Sequence, residues 1–460
     1  MERETEHLAN SAVLRDVACQ VLAATPSRWD VAQAEALMRE TKEPTYEPRD
    51  EYDAQDLSQA GWGVVFPKDL DPEIQEALAP LIERRKEEAA ATDERRFRVL
   101  SNEDAYQQGE LPGEFLERRN SFLGAVDPNR MPTYLLLIGT PDQIPYSFQF
   151  GLDLRHAVGR LAFDTADEFH SYVQSVLAYE KAPTSSSAKH LALFGTRLED
   201  DWISQEISDR LLTYLASELS QRKADWQVSS FIGEPATTAC LQRLMGGDLT
   251  PDLLFTACHG LSPDGLADPE ADAGAIYCQD RRFFSANSLA ANPRLQGLIT
   301  VHYGCHSAGL AGLKDYGSLV PLKPRHQERA KATKPGKPLV ARLPQRLLGH
   351  PQGGALAVLA HVDAAYGFSF LGALSTHQPA TFEDLLHRLM RGLRVGLAKE
   401  LLDFRFAQLA AELASVEVAE AFKPGTTGDR RLSDLGTAIR DARNYVVLGD
   451  PAVHISSEGT

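Results

Sequence analysis

The stretches DLLFTACHG (residues 252–260) and GLITVHYGC (residues 297–305) indicate both the fold and the place of the chemistry. Each begins with a short apolar run that predicts a buried strand. Each ends in residues that can take part in catalysis, among them Cys258, His259 and Cys305. Because open parallel sheets bind ligands beyond the carboxyl ends of their strands, we expect the two endings to meet at one edge of a sheet.

Further apolar runs alternate with amphipathic segments on both sides of this pair. The other predicted strands are GWGVVF (61–66), YLLLIG (134–139), AVGRLAFDT (157–165), LALFGT (191–196), WQVSSFIGE (226–234), GALAVLAHVD (354–363) and YVVLGDPAVHI (445–455). The predicted helices cover residues 71–91, 166–181, 201–223, 237–245 and 382–420. This alternation predicts an α/β protein whose parallel sheet is covered by helices on both faces.

The chain has 460 residues and divides by composition into three parts. We predict an N-terminal helical extension over 1–60, a first α/β subdomain over 61–185 and a second over 186–460. The stretch APTSSSAK has the composition of a linker and marks the second boundary. Within the last part, residues 323–346 carry eight Lys or Arg and one acid, Glu328, and predict a basic loop.

Composition narrows the class of partner. The net charge of −17 argues against nucleic acid as the main ligand, because binding to a duplex needs a basic face. An apolar run of about 20 residues, which a membrane span requires, is not found, and neither is a secretory leader. Five scattered cysteines fit a reducing compartment better than a disulfide framework. These features predict a soluble cytoplasmic protein with neither nucleic acid nor membrane as partner.

His259 and Cys305 have the residue types and the separation of a catalytic pair. They lie 305 − 259 = 46 residues apart, and a thiol nucleophile needs an imidazole close by to take its proton and to protonate the leaving amine. Two readings compete: a cysteine at the end of a strand is often only a small buried hydrophobe, and Cys258, His302 and His306 add potential zinc ligands. Their spacing completes no zinc site, so we predict that no metal is bound here and that Cys258 belongs to the core.

The pairing of FTACHG with VHYGCHSAG resembles the caspase–hemoglobinase superfamily of cysteine peptidases, most closely its gingipain-type bacterial members. YLLLIGTPDQIP, AVGRLAFDTADEF and NYVVLGDPAVHI are similar to further segments of those enzymes, in the same order, over residues 134–455. The resemblance implies a caspase-like, mostly parallel sheet flanked by helices, preceded by a related α/β subdomain. It also implies a cysteine endopeptidase. Asp450, in the GDP of the last segment, is interpreted as a turn residue.

The resemblance also assigns roles to residues. Cys305 would be the nucleophile and His259 the general acid and base, and the N–H groups of Gly260 and Cys305 would form the oxyanion hole. Asp153 would bind a basic P1 side chain, which implies cleavage after Arg and secondarily after Lys. Asp142 is a possible acid for orienting the histidine. Some relatives hold structural calcium, so calcium is a possible cofactor by analogy alone.

The basic loop suggests regulation. The corresponding connection of caspases is cut during activation, so we predict a zymogen cleaved at Arg325, Arg329 or Arg342, or else a charged lid that docks on the acidic body. The expected partners are a protein or peptide substrate and an upstream activating protease or inhibitor. Family analogy suggests limited proteolysis in a bacterial stress or defence cascade. The alternative function is a catalytically silent scaffold that binds a partner or an upstream protease.

Overall fold

The computed structural model describes residues 52–121, 126–182, 188–222, 225–261, 271–312, 315, 337–371, 379–422 and 429–456. Ten strands of this part form one sheet in the order β2-β1-β3-β4-β14-β13-β10-β7-β5-β6. Their bounds are β1 Trp62–Val65, β2 Phe97–Leu100, β3 Tyr134–Ile138, β4 Ala157–Leu161, β5 Lys189–Gly195, β6 Trp226–Ile232, β7 Leu253–Ala257, β10 Ile299–Tyr303, β13 Ala357–His361 and β14 Tyr445–Gly449. Two short antiparallel pairs lie outside the sheet, β8 Ile276–Tyr277 with β9 Phe283–Phe284, and β11 Gly309–Leu310 with β12 Leu339–Val340.

Helices surround the sheet. They are α1 Leu57–Ala60, α2 Pro72–Ala89, α3 Pro112–Glu117, α4 Tyr146–Asp153, α5 Ala166–Lys181, α6 Trp202–Glu206, α7 Thr213–Arg222, α8 Thr238–Leu244, α9 Arg342–Leu348, α10 Ala380–Met390, α11 Val395–Ala398, α12 Glu400–Phe422 and α13 Asp429–Arg443. A π-helical segment, Ile207–Leu212, joins α6 to α7. No helix of the described residues is both long and apolar enough to cross a lipid bilayer.

The sheet consists of two parallel halves that run in opposite directions. Every neighbouring pair is parallel except β13 and β14, where His361 at the end of β13 pairs with Tyr445 at the start of β14. β14 is parallel to β4 and antiparallel to β13, so it is the strand through which one half of the sheet is joined to the other. As a consequence, the carboxyl ends of β7, β10 and β13 and the amino end of β4 lie at the same edge.

The apolar pattern of the strands explains their position in the core. All five residues of β3, β4, β7, β10, β13 and β14 are buried, as expected for strands covered on both faces. Alternate residues of β3 enter separate clusters: Leu136 packs in the large core, and Leu135 and Leu137 pack in a smaller one with Val65 and Val158. The predicted α/β fold with a mostly parallel sheet is confirmed.

One predicted detail is wrong and another is incomplete. The helix predicted over 382–420 is three helices, α10, α11 and α12, because Gly392 adopts a φ of 79° just after the first of them. Asp450 is more than a turn residue: it is fully buried and accepts hydrogen bonds from Trp62 Nε1 at 2.9 Å and Arg85 Nε at 2.7 Å. Arg85, also fully buried, donates in addition to Glu180 at 2.5 Å. This buried cluster connects α2, α5 and β1 to the segment after β14.

Candidate active site

The register of β7 and β10 brings the predicted pair to one level of the sheet edge. Ala257, the last residue of β7, pairs with Tyr303, the last residue of β10. His259 and Cys305 each lie two residues beyond this pair, so the spacing of 46 residues equals the offset between the strands. The contact continues past the strand ends, because the N–H of Cys258 donates to the Tyr303 carbonyl at 3.2 Å.

Two glycines make this close approach possible. A Cβ on Gly260 would lie 1.8 Å from the carbonyl oxygen of Cys305 and 3.1 Å from its nitrogen. A Cβ on Gly304 would lie 2.7 Å from the carbonyl oxygen of Cys258. The distances of 1.8 Å at Gly260 and 2.7 Å at Gly304 are too short for any side chain, so these positions require glycine. Gly260 and Cys305, the two residues assigned to the oxyanion hole by resemblance, therefore touch through their main chains.

The carboxylate that holds the histidine is Asp201. Its Oδ2 lies 2.6 Å from His259 Nε2. Asp201 is also the N-cap of α6 and accepts hydrogen bonds from the main-chain N–H of Ile203 and of Ser204. Burial opposes the charge of Asp201, but the bonds from His259 and Ser204 outweigh it and lower the pKa of this carboxyl. The site thus has an ionised acid fixed against one nitrogen of the imidazole, as histidine-based catalysis requires.

The sequence pointed to a different acid. Asp142, suggested as the orienting group, is half exposed and lies 3.4 Å from Lys337 Nζ instead. The signal for Asp201 is present in the sequence, since LEDDW follows the predicted strand 191–196 and opens a helix. The sequence does not reveal that β5 lies beside β7 in the sheet. Because of this pairing, the loop after β5 reaches His259.

The thiol of Cys305 is partly covered by the segment after β13. Its Sγ lies 3.5 Å from the carbonyl oxygen of Ala365, to which the S–H donates. Burial raises the pKa of the Cys305 thiol above its ordinary value. The thiol is therefore protonated at neutral pH, and a base must take its proton when it attacks a substrate.

A buried carboxylate of α13 fixes this covering segment, residues 364–371. Asp441 accepts hydrogen bonds from the N–H of Tyr366 at 2.7 Å and from Ser369 Oγ at 2.6 Å. Tyr303 donates its hydroxyl to the carbonyl of Tyr366 at 2.7 Å. The segment also reaches the other side of the site, where a Cβ on Gly367 would lie 3.4 Å from Ile203 Cδ1. It therefore lies beside both Cys305 and the helix that Asp201 caps.

The other potential zinc ligands are Cys258, His302 and His306. Cys258 is buried in the core, as predicted, and burial raises the pKa of its thiol to about 12. His302 is buried and shares a hydrogen bond with Thr256 at 2.7 Å, and burial lowers the pKa of His302 to about 3. Burial also lowers the pKa of His306 to about 4. Among the described residues, no group of three or more His, Cys, Asp or Glu side chains is arranged to hold a metal ion.

The carboxylate expected to bind a basic P1 side chain already has a cationic partner. Asp153 lies at the end of α4, four residues before β4 begins, and hence at the same sheet edge as Cys305. It is buried, and its Oδ2 lies 3.3 Å from the fully buried Nζ of Lys399, which also donates to Asp403. Burial raises the pKa of Asp153 to about 6. Because this carboxylate is buried and paired with Lys399, we do not carry its predicted P1-binding role into the proposal below.

Of the three predicted cleavage sites, only one lies in the described residues. Arg342 is the first residue of α9, and its guanidinium lies 3.0 Å from Asp164 and 3.1 Å from Glu168. Proteases bind extended segments, so a residue held in a helix by two ion pairs is a poor target, and we do not carry Arg342 into the proposal either. Arg325 and Arg329 lie outside the described residues.

Comparison with known proteins supports this description of the fold. No protein-family model matches the sequence, and no curated protein matches it at a significant level. The crystal structure of gingipain R, an Arg-specific cysteine proteinase, matches with a TM-score of 0.50 at 14% identity, over 89% of this chain and 80% of that one. The chain has a caspase–hemoglobinase fold. This caspase-like fold is the one expected from the paired strand endings.

Two further structures agree with that assignment. A complex of the Porphyromonas gingivalis RgpB pro- and mature domains matches with a TM-score of 0.50 at 14% identity, over 86% of this chain and 79% of that one. A structure described only as a protease matches with a TM-score of 0.50 at 13% identity, over 88% and 79%. At such low identity the likeness establishes the caspase-like fold alone, and the activity has to be argued from the site.

Proposed function

We propose that this caspase-like protein is a cysteine endopeptidase in which Cys305 is the nucleophile, His259 the general acid and base, and Asp201 the group that orients His259. The observation that carries the proposal is the constellation at one sheet edge. Cys305 and His259 end two hydrogen-bonded strands at the same level, and the imidazole has a carboxylate partner at 2.6 Å. Nucleophile, base and orienting acid are the parts that acyl transfer by a thiol requires.

The reaction follows from these groups. His259 Nε2 bonds to Asp201, so Nδ1 is left for proton transfer. It takes the Cys305 proton as the sulfur attacks the scissile carbonyl, and the N–H groups of Gly260 and Cys305 stabilise the oxyanion. His259 then gives the proton to the leaving amine, the C–N bond breaks, and a thioester remains. Water, deprotonated by His259, hydrolyses the thioester, and the thiol regains its proton.

We do not extend the proposal to a preference for arginine. That preference depended on Asp153, which pairs with Lys399. Activation by cleavage stays a prediction for Arg325 and Arg329 alone. Structural calcium, the cytoplasmic location and a role in a stress or defence cascade stay predictions from the sequence and the family analogy.

The first test is hydrolysis of peptides that differ only at P1, with Arg, Lys, Asp, Asn, Leu or Phe. The protein is assayed before and after limited trypsin treatment, with and without calcium, and products are identified by mass spectrometry. We expect turnover of at least one peptide and reaction of Cys305, rather than Cys240, with a peptidyl electrophile. Failure to cleave any peptide under all these conditions would overturn the peptidase and favour the scaffold.

Exchange of Asp201 for asparagine tests the orienting role. Asparagine caps helices as well as aspartate does, so α6 is retained, but it cannot balance the charge of an imidazolium. By comparison with the orienting aspartate of a catalytic triad, we expect kcat to fall by roughly 100-fold to 10,000-fold, with KM and the melting temperature nearly unchanged.

The control for this exchange is Asp71→Asn, at the aspartate that caps α2 and accepts from Glu73 N–H at 3.0 Å. This variant is expected to keep the wild-type kcat. A loss in Asp201→Asn that is confined to KM, or that is matched by Asp71→Asn, would contradict the role assigned to Asp201.

A further inference from the structure

Exposed aromatic side chains gather around the predicted catalytic pair. Among the described residues, seven large hydrophobic side chains are exposed, and four of them are aromatic. Three of these four, Trp202 at 68%, Phe283 at 44% and Tyr366 at 40%, belong to the three segments that contact His259 or Cys305. We call these three residues the aromatic rim. Exposed apolar groups that cluster at one site are typical of a binding surface.

Two members of the rim are next to contacts described above, and the third lies one strand away from the His259 segment. Trp202 follows Asp201, which bonds to His259. Tyr366 follows Ala365, which accepts the Cys305 thiol hydrogen bond. Phe283 lies on β9, which pairs with β8, and its ring lies 4.9 Å from that of Tyr277, measured between centroids.

The hairpin of β8 and β9 is itself bound to the catalytic histidine segment. The N–H of Tyr277 donates to the carbonyl of His259 at 2.8 Å, and Ile276 forms a β-bridge with Gly260. The rim therefore has two members on the histidine side of the site and one on the cysteine side.

One exposed ion pair joins two of the rim-bearing segments. Arg281, between β8 and β9, lies 2.8 Å from Asp200, which precedes Asp201. Both side chains are more than half exposed, so this pair adds one positive and one negative charge to the surface beside the site. The aromatic surface carries the inference, since aromatic side chains supply large contact areas at little entropic cost.

We propose that the aromatic rim binds apolar side chains of an extended substrate chain next to the scissile bond. The substrate class would then be hydrophobic segments of unfolded or partly unfolded proteins, which are buried in native ones. This inference deepens the proposed function and rests on it, because the occupant of the rim is the chain that is cut.

The test measures binding separately from cleavage. Fluorescent ten-residue peptides with either phenylalanine or serine on both sides of the central bond are titrated against the full-length Cys305→Ala protein by anisotropy. We expect the phenylalanine peptide to bind about tenfold more tightly or better. When the Cys305→Ala protein also carries Trp202→Ser and Tyr366→Ser, the two peptides should bind with equal affinity. The control Val418→Ser, at a 51% exposed side chain of α12, should preserve the difference in affinity.

The outcomes separate the two proposals. Equal affinity for both peptides, or a phenylalanine preference that survives the rim exchanges, would overturn the rim. If the wild-type protein hydrolyses peptides without preference for apolar residues, the rim is wrong and the peptidase stands. If the rim binds the phenylalanine peptide but no peptide is ever cut, the rim stands as a binding surface and the peptidase is wrong.

Discussion

Alanine in place of His259 is expected to abolish peptide hydrolysis as completely as alanine in place of Cys305. In each variant kcat/KM should fall by roughly a thousandfold or more, because the thiol is protonated at neutral pH and neither group can act alone. The double variant should be no worse than either single one, since groups that act in one step give strongly non-additive losses. Initial rates with the best peptide of the P1 series measure all three.

Control residues of the same types are available. Cys240 is a half-buried free cysteine on α8, and His170 is an exposed histidine on α5. Cys240→Ala and His170→Ala should keep the wild-type rate. A His259→Ala variant that retains more than a tenth of the activity, with Cys305→Ala inactive, would show that another group takes the thiol proton.

The proposed catalytic pair was predictable because its position depends on local features. Two apolar runs end in His259 and Cys305, and the strands are next to each other in the sheet. The glycines at 260 and 304 reinforce the signal, since only a close approach of two main chains requires them both. Strand endings and spacing were therefore enough to predict that Cys305 and His259 lie at the same level of one sheet edge.

The orienting acid was not predictable in the same way. Asp201 lies 58 residues before His259 and reaches it only because β5 is the neighbour of β7 on the side away from β10. The order of strands along the chain does not give their order in the sheet. Asp142 follows a strand too, but β3 lies in the other half of the sheet, five strands away from β7.

The surroundings of Asp153 were not predictable for a related reason. Its partner Lys399 lies between α11 and α12, within the stretch 382–420 that was predicted to be helical. The break at Gly392 redirects the chain and brings Lys399 into a buried position beside Asp153 and Asp403. A family motif can identify a carboxylate in the sequence. Whether that carboxylate is paired with a cation of the protein itself depends on the tertiary structure.

The exchange Arg85→Met is expected to cause the largest loss of stability. It removes a fully buried guanidinium that binds Asp450 and Glu180, and it leaves the fully buried Asp450 carboxylate without its cation. Removal of one partner of a buried ion pair lowers the free energy of unfolding by about 3–5 kcal/mol. Urea unfolding followed by circular dichroism measures the change.

Two comparisons assign that loss to the buried charge. Arg243→Met removes an exposed guanidinium that lies 2.7 Å from Asp248, and should change the stability little, because water already solvates both groups. The double variant Arg85→Met/Asp450→Asn should regain part of the stability that Arg85→Met loses, since no uncompensated carboxylate then remains at position 450. If the double variant is instead less stable than Arg85→Met, the bonds that Asp450 accepts from Trp62 and from its own turn outweigh the charge, and the ion pair with Arg85 is not what holds α2 to the segment after β14.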